Sequence, residues 1–256
     1  MTKKIPWIGT SWKMNKTRAE ARAFAETLKA SPIAQTERVQ PFVIPPFPYI
    51  ADVADILGGT RVRIGAQNMH WEDKGAWTGE VSPPMIKDCG ATMVEIGHSE
   101  RRTHFGETDG TVALKVKAAV KHGLLALICI GDTKEQYDAG ETAQVLARQA
   151  WIALNLVGKL AKGKVVLAYE PVWSIGEGGV PADPDFAGAQ HKRIKEITVK
   201  VTGTALPVLY GGSVNPQNCC DLAARPDIDG LFIGRSAWDA AGYIGIVEAV
   251  IDTLNS

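Results

Sequence analysis

Residues 124–131 read LLALICIG. Apolar residues stand here on consecutive positions rather than alternate ones, the pattern of a parallel strand covered on both faces. A helical period precedes the run over residues 109–122, with Val112, Val116, Ala119 and Val120 on one face and Gly123 as the stop. A second helical period follows over residues 133–160. Helix, buried strand and helix recur in both directions along the chain. Strands are predicted at 7–11, 42–45, 62–66, 93–97, 124–130, 165–170, 207–211 and 230–234. Further helices are predicted from Thr17, where Glu20 completes a capping box and Phe24 and Leu28 share a face, and over 183–201, 215–223 and 240–254.

Dividing 256 residues among eight strands leaves 32 per unit, close to the ~30 that a strand-plus-helix unit needs. Eight such units predict an α/β fold, a closed (β/α)8 barrel that takes residues 1–256 as a single domain. No Ser/Gly-rich linker or charge block marks a boundary. The competing architecture, an open doubly wound sheet, usually carries a Gly-x-Gly-x-x-Gly turn after an early strand, and this chain has none.

Apolar residues make up 45% of the chain and charged ones 22%, which excludes disorder for the whole chain. Lys+Arg and Asp+Glu balance at 28 each, so no basic face is offered to nucleic acid or an anionic membrane. No apolar run approaches the ~20 residues of a membrane span, and the two lysines near the start lack the apolar stretch of a secretory signal. Cys89, Cys129, Cys219 and Cys220 are too few and too scattered for a disulfide scaffold or a spaced metal pair. A reduced, cytoplasmic protein with free thiols is the expectation.

In a (β/α)8 barrel the chemistry sits at the carboxyl ends of the strands. Strand one ends in Ser11-Trp12-Lys13, strand four in Gly97-His98-Ser99-Glu100, and strand six in Tyr169-Glu170-Pro171. Strands seven and eight run into Gly211-Gly212-Ser213 and Gly234-Arg235-Ser236, where anion-binding turns of this architecture usually lie. A carboxylate base, an imidazole donor, a fixed cation and a phosphate anchor suit proton abstraction beside a carbonyl, on a small phosphorylated carbonyl compound. Each residue taken singly has a plainer reading. Lys13 alone reads as a solvated charge, His98 as a structural histidine, Glu170 as a loop cap or a partner for Arg101, and the glycines as an ordinary turn. Agreement of three strand ends and two glycine turns on one reaction outweighs them. His104 and His122 read as surface residues and His191 as lying on a polar helix face. Spacing supports no metal cluster, and neither a metal nor a cofactor is expected.

At these same residues the chain resembles the triosephosphate isomerase family. The segments are WKMN at 12–15, VEIGHSERR at 94–102, FGE at 105–107, CIG at 129–131, AYEPVW at 168–173 and YGGSV at 210–214. The resemblance implies roles by position. Glu170 would move a proton between neighbouring carbons, and His98, as neutral imidazole, would move protons between the two oxygens of an enediol. Lys13 would offset charge on the enediolate, with Glu100 behind it. Residues 171–182 would form a closing loop, and Gly176, Ser213, Gly234 and Arg235 would give backbone N–H groups to the phosphate. The stretch 67–80 resembles the family's dimerisation loop, which would bury Trp71, Trp77 and Thr78 against a second copy.

The chain also departs from the family. Ser11 stands where the family usually has Asn, and Arg235 where it usually has a second Gly. Pro181 has no N–H, so the far hinge is expected to lose the bond the family makes there with the Tyr210 hydroxyl. Loss of the asparagine amide opens space beside the reacting end of the substrate and keeps one hydroxyl. These departures point to the branch of the family that isomerises erythrulose phosphate, a four-carbon ketose phosphate, in tetritol breakdown. A true triosephosphate isomerase of glycolysis is the alternative. A barrel that binds a phosphorylated ligand without turnover is the remote one.

Overall fold

A computed structural model describes residues 5–176 and 179–254. β1 (Trp7–Ser11) pairs in parallel with β2 (Gln40–Ile44), and pairing continues through β3 (Arg63–Ala66), β4 (Met93–Ile96), β5 (Leu125–Ile130), β6 (Val165–Tyr169) and β7 (Val208–Tyr210) to β8 (Gly230–Ile233). β8 pairs back with β1, Trp7 opposite Gly230, and closes the barrel. The predicted (β/α)8 fold is the observed one.

Ten α-helices lie among the described residues: α1 (Arg18–Ala30), α2 (Ile50–Leu57), α3 (Pro83–Asp88), α4 (Ser99–His104), α5 (Asp109–Lys121), α6 (Lys134–Asp138), α7 (Thr142–Asn155), α8 (Pro184–Thr202), α9 (Cys219–Ala223) and α10 (Ala240–Thr253). The capping box read at Thr17 and Glu20 is formed at the start of α1. The helix expected over 133–160 breaks in two because Gly140 takes φ +73° between α6 and α7. The helix expected over 215–223 covers only Cys219–Ala223, because Asn215 and Asn218 turn their side chains onto each other's backbone N–H groups. The short helices α2, α3 and α4 escape a reading that relies on long periods.

The barrel interior is filled by Phe42, Ile44, Met93, Leu127, Leu209 and Phe232. Gly9 makes room for this layer, since a Cβ there would lie 2.3 Å from the Phe42 ring. The outward faces of the strands pack against the helices in a second, larger core. His191 belongs to that core, not to a polar face. It is wholly buried on α8 between the rings of Tyr169 and Tyr210, with Nδ1 2.7 Å from the Ala187 carbonyl. Burial pulls its pKa down to about 4.

Candidate active site

Three strand ends bring their polar residues to one mouth. After β1 the chain turns sharply, with Lys13 at φ +52°, a left-handed conformation uncommon for a residue with a side chain. Gln67 holds the turn by donating from Nε2 to the Lys13 carbonyl at 2.9 Å, and Trp238 Nε1 donates to the Ser11 carbonyl at 3.1 Å. The Lys13 ammonium meets Glu100 Oε1 at 2.6 Å. Burial pushes the Glu100 carboxyl up, but the hydrogen bond from Lys13 and its nearby charge outweigh it and leave the pKa below the ordinary value.

β4 ends at Gly97, whose φ of +78° sends the chain into α4. Arg102 clamps that corner, donating to the Gly97 carbonyl at 2.7 Å and pairing with Asp109 at 2.6 Å. His98 caps α4, its Nδ1 accepting the Glu100 N–H at 3.1 Å. A ring nitrogen that accepts carries no proton, so the imidazole is neutral with its N–H on Nε2. Nε2 faces Glu170 Oε1 at 3.3 Å.

Glu170 is buried just beyond β6, its N–H bonded to the Ile130 carbonyl at 2.7 Å. The Ser99 N–H donates to its Oε2 at 3.1 Å. Two glycines allow this seat. A Cβ on Gly131 would lie 1.7 Å from the Glu170 carbonyl oxygen, and one on Gly211 3.0 Å from its Cγ.

One residue at this mouth was not singled out from the sequence. Glu95, on β4, is fully buried and accepts a hydrogen bond from Ser11 Oγ at 2.8 Å. Burial pushes its pKa up to about 7; the Glu170 charge adds to the rise, while the Ser11 bond and the Lys13 charge oppose it. Ser11 therefore spends its hydroxyl on Glu95. Glu95, His98 and Glu170 present ligand atoms within 4.8 Å of one another, compact enough to grip a cation, a grouping that residue spacing did not reveal. The signal was a lone carboxylate at an inward position of an apolar strand.

A cavity of about 40 Å³ lies between Ser11, Lys13, His98, Glu170 and Gly211. Beside it opens one of about 190 Å³ whose walls include Lys13, Gly176, Ser213, Gly234 and Arg235, so the four expected phosphate contacts share one space. A wider groove of about 430 Å³ opens at the other end of the barrel, beside Pro6 and Asp229 at the starts of β1 and β8, away from these groups. Of the expected closing loop, Glu177 and Gly178 lie outside the described residues. Its near root is tied by Ser174, whose Oγ donates to the Pro171 carbonyl at 2.9 Å. A Cβ on Gly212 would lie 2.4 Å from the Tyr210 hydroxyl and 2.6 Å from Ser174 Oγ, so only glycine fits between barrel and loop. The far hinge corrects the expectation drawn from Pro181. Its bond to Tyr210 is not lost, because the next residue, Ala182, donates its N–H to the Tyr210 hydroxyl at 3.3 Å.

Fold and strand-end chemistry together define an isomerase barrel acting on small phosphorylated substrates. The chain belongs to the triosephosphate isomerase family, whose model matches residues 6–250. Among its relatives it is similar to the L-erythrulose-1-phosphate isomerase of Rhizobium meliloti (strain 1021), 58% identical over 98% of each chain. The protein of that name from Brucella abortus biovar 1 (strain 9-941) is 57% identical over 94% of each chain. The one from Mesorhizobium japonicum is 55% identical over 95% of this chain and 96% of its own.

Proposed function

We propose that the protein isomerises L-erythrulose 1-phosphate to D-erythrulose 4-phosphate. Glu170 takes the proton from C3, the carbon that bears a hydroxyl and the terminal hydroxymethyl group, as the C2 carbonyl oxygen gains a proton. The resulting enediol spans C2 and C3. His98 Nε2 passes a proton between the two oxygens, and Lys13 offsets the negative charge that develops on them. Return of a proton to C2 leaves the carbonyl at C3, and numbering from the other end gives the product with no atom gained or lost. Gly176, Ser213, Gly234 and Arg235 hold the phosphate through backbone N–H groups, and residues 171–182 close over it.

The observation that carries the choice of substrate is Ser11. Its side chain ends short of the space an asparagine amide would fill, beside His98 and Glu170 in the cavity where the reacting carbons belong. The names of the relatives support the same substrate. Conversion of the four-carbon phosphate followed by NMR, and its abolition by Glu170→Gln, is the test. Undiminished turnover in that variant overturns the mechanism, and turnover of dihydroxyacetone phosphate alone returns the substrate to a triose.

The active form in this reading is a homodimer through residues 67–80, in the cytoplasm. The loop is rigidly based: Asn68 and Glu107 bond the buried Lys115, and Asp73 bonds Lys121 at 2.8 Å and His122 at 2.6 Å. His70 stacks between Trp71 and Trp77, with ring centroids 4.2 and 4.5 Å away. Trp77 is still 49% exposed, and Met14 and Phe105, which border a cavity of about 170 Å³ at the mouth, are 97% and 68% exposed. These apolar side chains, left uncovered at the outer rim of the hollow, suit the loop of a second copy, whereas Ser11 and Glu95 lie buried at its floor. The four cysteines are free, and no helix among the described residues is long and apolar enough to cross a membrane.

A further inference from the structure

Glu95 is out of place by the rules that govern its neighbours. β4 turns Met93 into the apolar barrel interior and Val94 and Ile96 outward against the helices. Glu95 shares the inward register of Met93, where an apolar side chain serves the fold. A carboxyl there is stripped of water, which is costly unless its oxygens are bonded. Lys13, a cation at this mouth, is bonded to Glu100 instead. Among the described residues, the hydrogen bond to Glu95 is the one from Ser11 to Oε2. Oε1 stands 3.9 Å from His98 Nε2, beyond a hydrogen bond, and is left with capacity to spare.

Glu95 lies close to the reacting end of the site, with a carboxylate oxygen within 4.8 Å of both His98 and Glu170. Glu95 borders the cavity of about 170 Å³ whose walls also include Ser11, Lys13 and His98, and those three border the smaller cavity at Glu170 as well. A substituent on the carbon beside Glu170 that points past His98 therefore meets Ser11 and Glu95. We propose that Glu95, steadied by Ser11, is the specificity residue of the site, and that its carboxyl receives the terminal hydroxyl that a four-carbon ketose phosphate carries and a triose phosphate lacks. The inference rests on the four-carbon reading above and names the group that enforces it. With a pKa raised to about 7, Glu95 is partly protonated near neutral pH, and the acid form donates as well as accepts. Such a pair also penalises the shorter substrate, which leaves a buried polar group unmatched.

The test is the ratio of kcat/KM for erythrulose 1-phosphate to that for dihydroxyacetone phosphate, in the unmutated protein, Glu95→Leu and Glu95→Gln. Competitive inhibition constants stand in wherever the triose phosphate is not turned over. Glu95→Leu removes the hydrogen-bonding group and is expected to lower the ratio about 10–100-fold, the worth of one buried hydrogen bond. Glu95→Gln, which keeps shape and a donor and acceptor, is expected to restore much of the ratio, and it covers the case in which Glu95→Leu fails to fold. A merely structural role would depress both substrates together. Equal losses on both substrates, or no loss on either, overturn the inference while the four-carbon reading stands. An unmutated protein without activity on the four-carbon phosphate overturns both.

Discussion

Replacing Glu95 by glutamine should change how stability responds to pH. Glu95 is fully buried, and its pKa rises from an ordinary 4.5 to about 7 on folding. The folded chain therefore binds a proton at this site more tightly than the unfolded chain. The stabilisation is fully present below pH ~4.5 and is lost as pH rises through ~7. A shift of that size corresponds to on the order of 3 kcal/mol. Glu95→Gln has no proton to lose and keeps the volume of the side chain, so this part of the pH dependence should vanish. Urea unfolding of both proteins at matched concentration, from pH 5 to pH 8, reads the difference. The gap between the two curves should move in favour of the variant by a few kcal/mol across that range, because the unmutated protein alone comes to carry a buried charge. Parallel curves would refute the burial argument and remove the reason for treating Glu95 as an acid held ready to donate.

Three other outcomes follow from the same geometry. Glu170→Asp retracts the carboxylate by roughly 1 Å and should cut kcat ~100-fold with little change in KM, measured by steady-state kinetics on the four-carbon phosphate. Ser11→Asn should refill the space beside His98 and lower activity on the four-carbon phosphate more than on dihydroxyacetone phosphate; equal effects would mean that Ser11 does not set the substrate. His191, whose pKa falls to about 4 on burial, contributes stability that is present above pH ~6.5 and is lost as pH falls through ~4, so His191→Gln should show a shallower acid limb in denaturant unfolding.

The strands were legible because burial on both faces leaves no room for polar alternation, as in LLALICI. Lys13, His98 and Glu170 were legible because a closed barrel brings all its strand ends to one rim, whatever lies between them in the chain. The misses have local physical causes. Glu95 sits inside a strand that otherwise reads as apolar, and only the inward alternation with Met93 gives it away. His191 stands four residues after Ala187 and three before Ile194, on the buried face of α8, so its helical phase carried a signal that its polarity masked. The hinge bond to Tyr210 survives Pro181 because the neighbouring N–H of Ala182 reaches the same hydroxyl, which no reading of proline alone reveals.

In the proposed reaction the barrel mouth holds one hydroxymethyl group more than a triose phosphate carries. The most direct measurement is kcat/KM of the unmutated protein on L-erythrulose 1-phosphate and on dihydroxyacetone phosphate, under one buffer and with both products followed by NMR. Extra space alone discriminates by ~10–200-fold, and a site that bonds the hydroxyl discriminates more strongly. A preference for the four-carbon phosphate of at least ~100-fold is expected. Equal efficiency on the two, or a preference for dihydroxyacetone phosphate, would contradict it.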